Sequence, residues 1–196
     1  MTGSAGSVAP EGAERVSSLE LFFDLVFVFT ITELSTVLAH ETGWKGVVQV
    51  VLMLGVIWWM YDGYAWLTNA VPPDRTSRRL FLLAAMAAFL VLALAIPGAF
   101  RGSGLTFGLA YLAIVTVHSG LFASSSQQRI TRAILGLAPL NLVSALFILA
   151  GGIAGGTAQY VLWALGFVSE WVTPRLIKSG GFLIAPAHFV ERPGSW

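Results

Sequence analysis

Cysteine is absent from the chain, which excludes disulfides, thiolate nucleophiles and Cys-ligated metals and leaves redox compartment unread. Charge is scarce too: Asp, Glu, Lys and Arg make up 11% of residues, against about 25% in soluble domains. The formal net charge is +1, with no basic patch, so a nucleic-acid partner is not expected. Neither G-x-S-x-G nor G-x-x-x-x-G-K-[ST] occurs, and the H-E-x-x-H pattern opened by His40 and Glu41 fails at Trp44. His40, His118 and His188 lie far apart in sequence, and the two lysines, Lys45 and Lys178, sit at the edges of apolar runs. No enzyme activity, metal, retinal Schiff base or other cofactor is therefore expected.

What the chain has in excess is apolar residues, at 56%, with a mean hydropathy of +0.78. A bilayer core takes about 20 mostly apolar residues per helix. Six stretches meet that length or approach it: 18–39, 45–67, 79–97, 105–123, 133–152 and 157–173, the last ending at Pro174. The expected fold is an all-α, polytopic transmembrane helix bundle with about six spans over residues 17–178. Residues 1–16 lack the basic and apolar blocks of a signal peptide and read as a disordered tail, so the first span stays as an anchor.

Orientation follows from Lys and Arg, which accumulate on the cytoplasmic side. Numbering the gaps alternately, one side receives Arg15, Arg75, Arg78, Arg79, Arg129, Arg132, Arg175, Lys178 and Arg192, and the other only Lys45 and Arg101. Nine against two places the N-terminus, and residues 179–196, in the cytoplasm. Trp44 at one end of the second span and Tyr61, Tyr64 and Trp66 at the other read as an interfacial aromatic belt, with an aromatic stacking site as the alternative.

The first span, "SSLELFFDLVFVFTITELS", carries Glu20, Asp24 and Glu33. A central acid costs about 2.5–3.5 kcal/mol of insertion, so an apolar residue would insert better. Residues three or four apart share a helix face, which puts Glu20 and Asp24 together toward the bundle interior and Glu33 on nearly the opposite side, facing an outer cavity. Intramembrane carboxylates carry protons or cations in many pumps. The alternative is structural: a pairing with Arg15 or another cytoplasmic Arg, or a capping box of Ser17 and Glu20. Asp62, His118 and Glu170 fall near the cytoplasmic ends of spans two, four and six, predicting an ionisable layer in the cytoplasmic third. Snorkelling at the interface is the alternative for that layer, and the favoured one for Glu170 beside Trp171 and Pro174. The "GGIAGG" run reads as an outer turn rather than a packing face, and the Ala-rich third span as the better surface for close packing.

"ERVSSLELFFDLVFVFTITELS" and "APAHFVER" together resemble the hallmark stretches of the bacterial low temperature requirement protein A family. Arg15, Glu20, Phe22, Phe23, Asp24, Phe27 and Val28 carry the first match, and His188, Phe189, Glu191 and Arg192 the second. "WWMYDGYAWLTN", with Trp58, Tyr61 and Asn69, is similar to that family's second span. The resemblance implies a multi-pass protein of the bacterial cytoplasmic (inner) membrane connected with growth in the cold, and by analogy a transporter. Members continue after this motif into a seventh span and a second set of spans, whereas here "PGSW" follows, so the chain resembles an N-terminal half.

The expected function is proton- or cation-coupled transport, with Glu20 and Asp24 as acceptors and His188, Glu191 and Arg192 as partners. A non-transporting scaffold or cold-stress factor, or an inactive truncated member, is the alternative. The expected partners are the lipid bilayer, an unknown small solute or ion, and either a second copy or a missing C-terminal half.

Overall fold

The structure, a computed structural model, describes residues 18–70, 76–123 and 128–179. The N-terminal tail with Arg15 and the HFVER segment with His188, Glu191 and Arg192 lie outside the described residues, as does the side chain of Glu20. Among the described residues six α-helices follow one another: α1 (Ser18–His40), α2 (Trp44–Ala70), α3 (Thr76–Ala95), α4 (Gly104–Ala123), α5 (Gln128–Ala154) and α6 (Gly156–Ser179). A 3-10 turn, Ile96–Gly98, closes α3. No strand occurs among the described residues, so the fold is all-α.

Among the described residues, four segments are long and apolar enough to cross a membrane: Leu21–His40, Trp44–Leu67, Thr76–Gly98 and Gly104–Leu121. The apolar part of α5 is shorter, Ala138–Ala154, and α6 carries Gln159, Ser169 and Glu170. α3 shows why such a helix suits a bilayer. Leu82, Ala85, Met86, Phe89, Leu92 and Ala93 recur every three or four residues and are buried, while Leu83, Leu90, Val91 and Leu94 on the opposite side are exposed. A helix that is apolar all round packs protein on one face and offers hydrocarbon the other.

The helices neighbour one another in a closed ring, in the order α1, α3, α4, α5, α6, α2 and back to α1, with α2 also touching α4 across the middle. The core sits inside that ring, around Met53, Ile57, Leu92, Phe107, Tyr111, Ile114, Ile148 and Trp163. The α4–α5 contact is the closest. A Cβ on Gly152 would stand 2.1 Å from the carbonyl oxygen of Gly104, and one on Gly108 2.7 Å from the Cα of Leu149. Gly104 and Gly108 form a small-xxx-small pair that lets two backbones meet, a device suited to lipid, where apolar burial between helices drives little.

"GGIAGG" thus divides into two. Gly151 and Gly152 end α5 as a packing face, Gly151 against Trp163 and Gly152 against Gly104. Gly155 and Gly156, at φ 66° and 53°, make the turn into α6, a backbone that residues with a Cβ rarely adopt. α6 also runs through Pro174 to Ser179 instead of stopping there.

Candidate functional site

Glu170 is the most buried acid among the described side chains, at 1% exposure. It lies fourteen residues into α6, roughly 21 Å along the axis at about 1.5 Å per residue. Its Cα–Cβ bond tilts back toward the helix start, and its side chain is buried within the ring of helices. The snorkelling expected from its neighbour Trp171 does not occur: α6 continues past Pro174, and the carboxylate turns inward.

Two hydroxyls hold it. Ser144 of α5 donates to Oε1 at 2.7 Å, and Tyr111 of α4 donates to the same oxygen. Ser144 also lies 3.1 Å from the backbone carbonyl of Gly166, one turn before Glu170. Oε2 has no hydrogen-bond partner among the described residues. Tyr111 and Ser144 are themselves fully buried. Asn141, one turn below Ser144 on the same face of α5, accepts at 3.1 Å from the indole nitrogen of Trp59 on α2. Three helices, α4, α5 and α6, thus bring oxygen atoms together at Glu170.

Burying one carboxylate without a compensating charge costs several kcal/mol or more. Such a centre calls for a positive occupant. Its surroundings are hydroxyl, carboxylate and carbonyl oxygens, which accept a proton or a small hard cation. Among the described residues there is no group of three or more His, Cys, Asp or Glu that could hold a metal ion.

The same three helices close the space above this point, toward the α5–α6 turn. Phe107, one turn from Tyr111 on α4, stacks on Trp163, two turns from Glu170 on α6, with ring centroids 4.7 Å apart. Trp163 donates to the carbonyl of Ile148 at 2.9 Å and meets the ring of Phe100 at 4.7 Å. An aromatic layer therefore separates Glu170 from that end of the bundle. Toward the other end, His118 lies two turns from Tyr111 on α4, buried against Gly63 and 5.0 Å from the ring of Tyr64.

The remaining sequence candidates are spread out. Asp24 is exposed and does not face the bundle interior; it accepts from Tyr61 at 3.1 Å. Tyr61 stacks between Phe23 and Phe27, at 4.9 and 3.9 Å. Asp62 is exposed and Glu33 half-buried. Tyr64, read from sequence as part of the belt, is a core residue whose hydroxyl donates to the carbonyl of Ile114 at 2.9 Å. Trp44 and Trp66 are exposed, as a belt requires. Of the expected ionisable layer, His118 and Glu170 are buried within the ring and Asp24 and Asp62 stand outside it. Sequence reasoning missed Tyr111, Ser144 and Asn141. Their spacing to buried apolar neighbours at three and four residues was the available signal.

At the end of the bundle where α1 meets α2, a cleft of about 190 Å³ opens between the last turn of α1, the start of α2 and the turn after α3. Glu41 and Arg101 form an ion pair at its rim. Arg101 holds the Glu41 carboxyl below the usual carboxylate range, first by donating a hydrogen bond to it and then by its charge. Inside, the Gln49 amide donates to the Tyr160 hydroxyl at 2.6 Å. The cleft takes in Thr36, Val37 and His40 of α1 but not Glu33.

An all-helical ring with apolar helices of membrane length and a carboxylate at its centre defines a helical membrane protein. The particular family is then plain: the profile of the bacterial low temperature requirement A protein (LtrA) matches residues 15–195, and the chain belongs to that family. It is 32% identical over 164 residues to an uncharacterized protein of Rhizobium meliloti (strain 1021). That alignment covers 82% of this chain and 40% of the relative. No solved structure matches the chain.

Proposed function

We propose that the chain is a proton- or cation-coupled secondary transporter of the bacterial inner membrane, crossing it six times with the start of α1 in the cytoplasm. One observation carries the reading: a lone buried carboxylate, Glu170 of α6, held by Tyr111 of α4 and Ser144 of α5 with one oxygen open. Stability does not demand an acid there, since apolar side chains of similar volume replace buried ionic groups without loss in other proteins. Intramembrane acids that face a bundle interior mark ion pathways. Family membership and the uneven placing of Lys and Arg support the membrane setting and its orientation.

In this reading Glu170 takes up and releases the coupling ion. Glu20 and Asp24, near the cytoplasmic end of α1, are the first acceptors, and His118 lies between that end and Glu170. The aromatic layer of Phe107 and Trp163 closes the opposite end. His188, Glu191 and Arg192 stand as partners of Glu20 and Asp24, and growth in the cold as the setting. The role is not enzymatic.

Proton flux into proteoliposomes, read with an entrapped pH-sensitive dye, tests the reading. Wild-type chain is expected to conduct, Glu170→Gln to lose the flux, and Glu20→Gln with Asp24→Asn to slow it. Undiminished flux in Glu170→Gln at normal protein level overturns the proposal. So does the absence of flux from wild-type chain across proton and sodium gradients, which returns the acids to a scaffolding role.

A further inference from the structure

The cleft at the α1–α2 end is smaller than the roughly 300–1,000 Å³ of sites for drug-sized ligands, so about 190 Å³ suits a small solute and not a lipid. Its lining divides into two parts. Val37, Met53, Ile96, Pro97 and Phe100 give an apolar floor and wall, with Met53 and Ile96 almost fully buried. Thr36, His40, Gln49, Glu41 and Arg101 give a polar rim. The rim carries one charge of each sign, already paired with each other.

That pairing decides which solute fits. An anion that takes Arg101 strands the Glu41 carboxylate beside apolar wall, and a cation that takes Glu41 strands Arg101. Glu41 and Arg101 are both solvent-accessible, so the stranded group is hydrated, but a singly charged solute then lies beside that group's like charge, which is unfavourable. A solute carrying both charges meets both partners and exchanges one ion pair for two. The geometry points to this cleft as a binding site for a small zwitterion with an aliphatic or thioether body, of the α-amino acid class, its carboxylate on Arg101 and its ammonium on Glu41. The depressed carboxyl of Glu41 keeps the acid ionised across neutral pH, as the exchange requires. Phe100 joins the cleft to the aromatic layer over Glu170, since it lines the one and touches Trp163 in the other. The site thus names the solute for the transport reading and rests on that reading for what becomes of it, while binding stands apart.

The test is calorimetric titration of the full chain in lipid nanodiscs at low salt with three probes of one skeleton: L-leucine, isocaproate, which lacks the ammonium, and isoamylamine, which lacks the carboxylate. L-Leucine is expected to bind at least tenfold more tightly than either analogue, a comparison on wild-type chain that needs no variant to fold. Glu41→Gln and Arg101→Met are each expected to weaken L-leucine at least tenfold and to narrow the gap to the analogues. Equal affinity for the three probes, no saturable L-leucine binding, or unchanged affinity in both variants overturns the proposal. Glu170→Gln separates the two readings: binding kept and flux lost supports both, whereas binding kept with flux kept leaves the cleft standing and removes Glu170.

Discussion

Replacing Gly152 by alanine tests whether the α4–α5 crossing sets the geometry of the site. The new Cβ would stand 2.1 Å from the Gly104 oxygen and 2.5 Å from its carbonyl carbon, more than 1 Å inside the C···O contact of about 3.3 Å. Both obstacles are backbone, so no rotamer change relieves them and the helices must part. Overpacking of this kind costs about 3 kcal/mol, the upper end of the usual range, and alanine's better helix propensity returns about 1 kcal/mol. The net loss is about 2 kcal/mol on those terms. Gly120 of the same α4 is the control, since a Cβ there meets nothing within 4 Å and alanine gains about 1 kcal/mol. The two variants should thus differ by about 3 kcal/mol, roughly a hundredfold in the unfolding equilibrium. Unfolding of the purified chain in mixed micelles by dodecyl sulfate titration, followed by tryptophan fluorescence, reads the difference. If Gly152→Ala is as stable as Gly120→Ala, the close crossing is wrong, and with it the placing of Tyr111 against Ser144.

Ser144→Ala removes one of the two donors to Glu170 and should destabilise the chain by about 1–3 kcal/mol, while Ser119→Ala on the half-buried side of α4 should change little in the same assay. Trp163→Ala removes the indole N–H that the carbonyl of Ile148 accepts and opens the aromatic layer; it should lower stability and raise passive proton leak into proteoliposomes relative to Trp44→Ala at the exposed edge. The Glu41–Arg101 contact should respond to acid. Its carboxyl is depressed in the folded chain, so whatever the pair contributes is present above the normal carboxylate pKa and is lost as pH falls through the lowered one. Nuclear magnetic resonance of labelled Glu41 should show a midpoint below 4.5, its ordinary value, that returns to that value in Arg101→Met.

Long apolar runs made the helices legible. The stretches read as 18–39 and 105–123 are α1 at Ser18–His40 and α4 at Gly104–Ala123, because hydrocarbon imposes both length and composition on a span. Chemistry was less legible, for reasons particular residues show. Glu170 reads as interfacial only when Pro174 is taken as a helix end; a proline within a helix of a bundle is tolerated when neighbours satisfy the freed backbone, and α6 carries on to Ser179. Asp24 and Asp62 share a depth with buried groups, yet depth along a helix does not fix its rotation, and both face outward. Tyr64 and Trp66 are two residues apart, so one turns to the core and the other to lipid, and only the packing of α2 against α4 decides which. The close crossing at Gly104 and Gly108 was not read from the sequence, which pointed to the Ala-rich third span instead, because which helix a small residue meets is a property of the ring.

If Glu170 binds the coupling ion, its buried carboxyl must gain and lose a proton as pH changes. Infrared difference spectra of the reconstituted chain between acid and alkaline buffer test it most directly, because a carboxylic acid shows a C=O band that a carboxylate lacks. A band that appears on acidification of wild-type chain, persists in Asp24→Asn and is absent from Glu170→Gln is the predicted result. The same band at the same strength in Glu170→Gln would contradict the account.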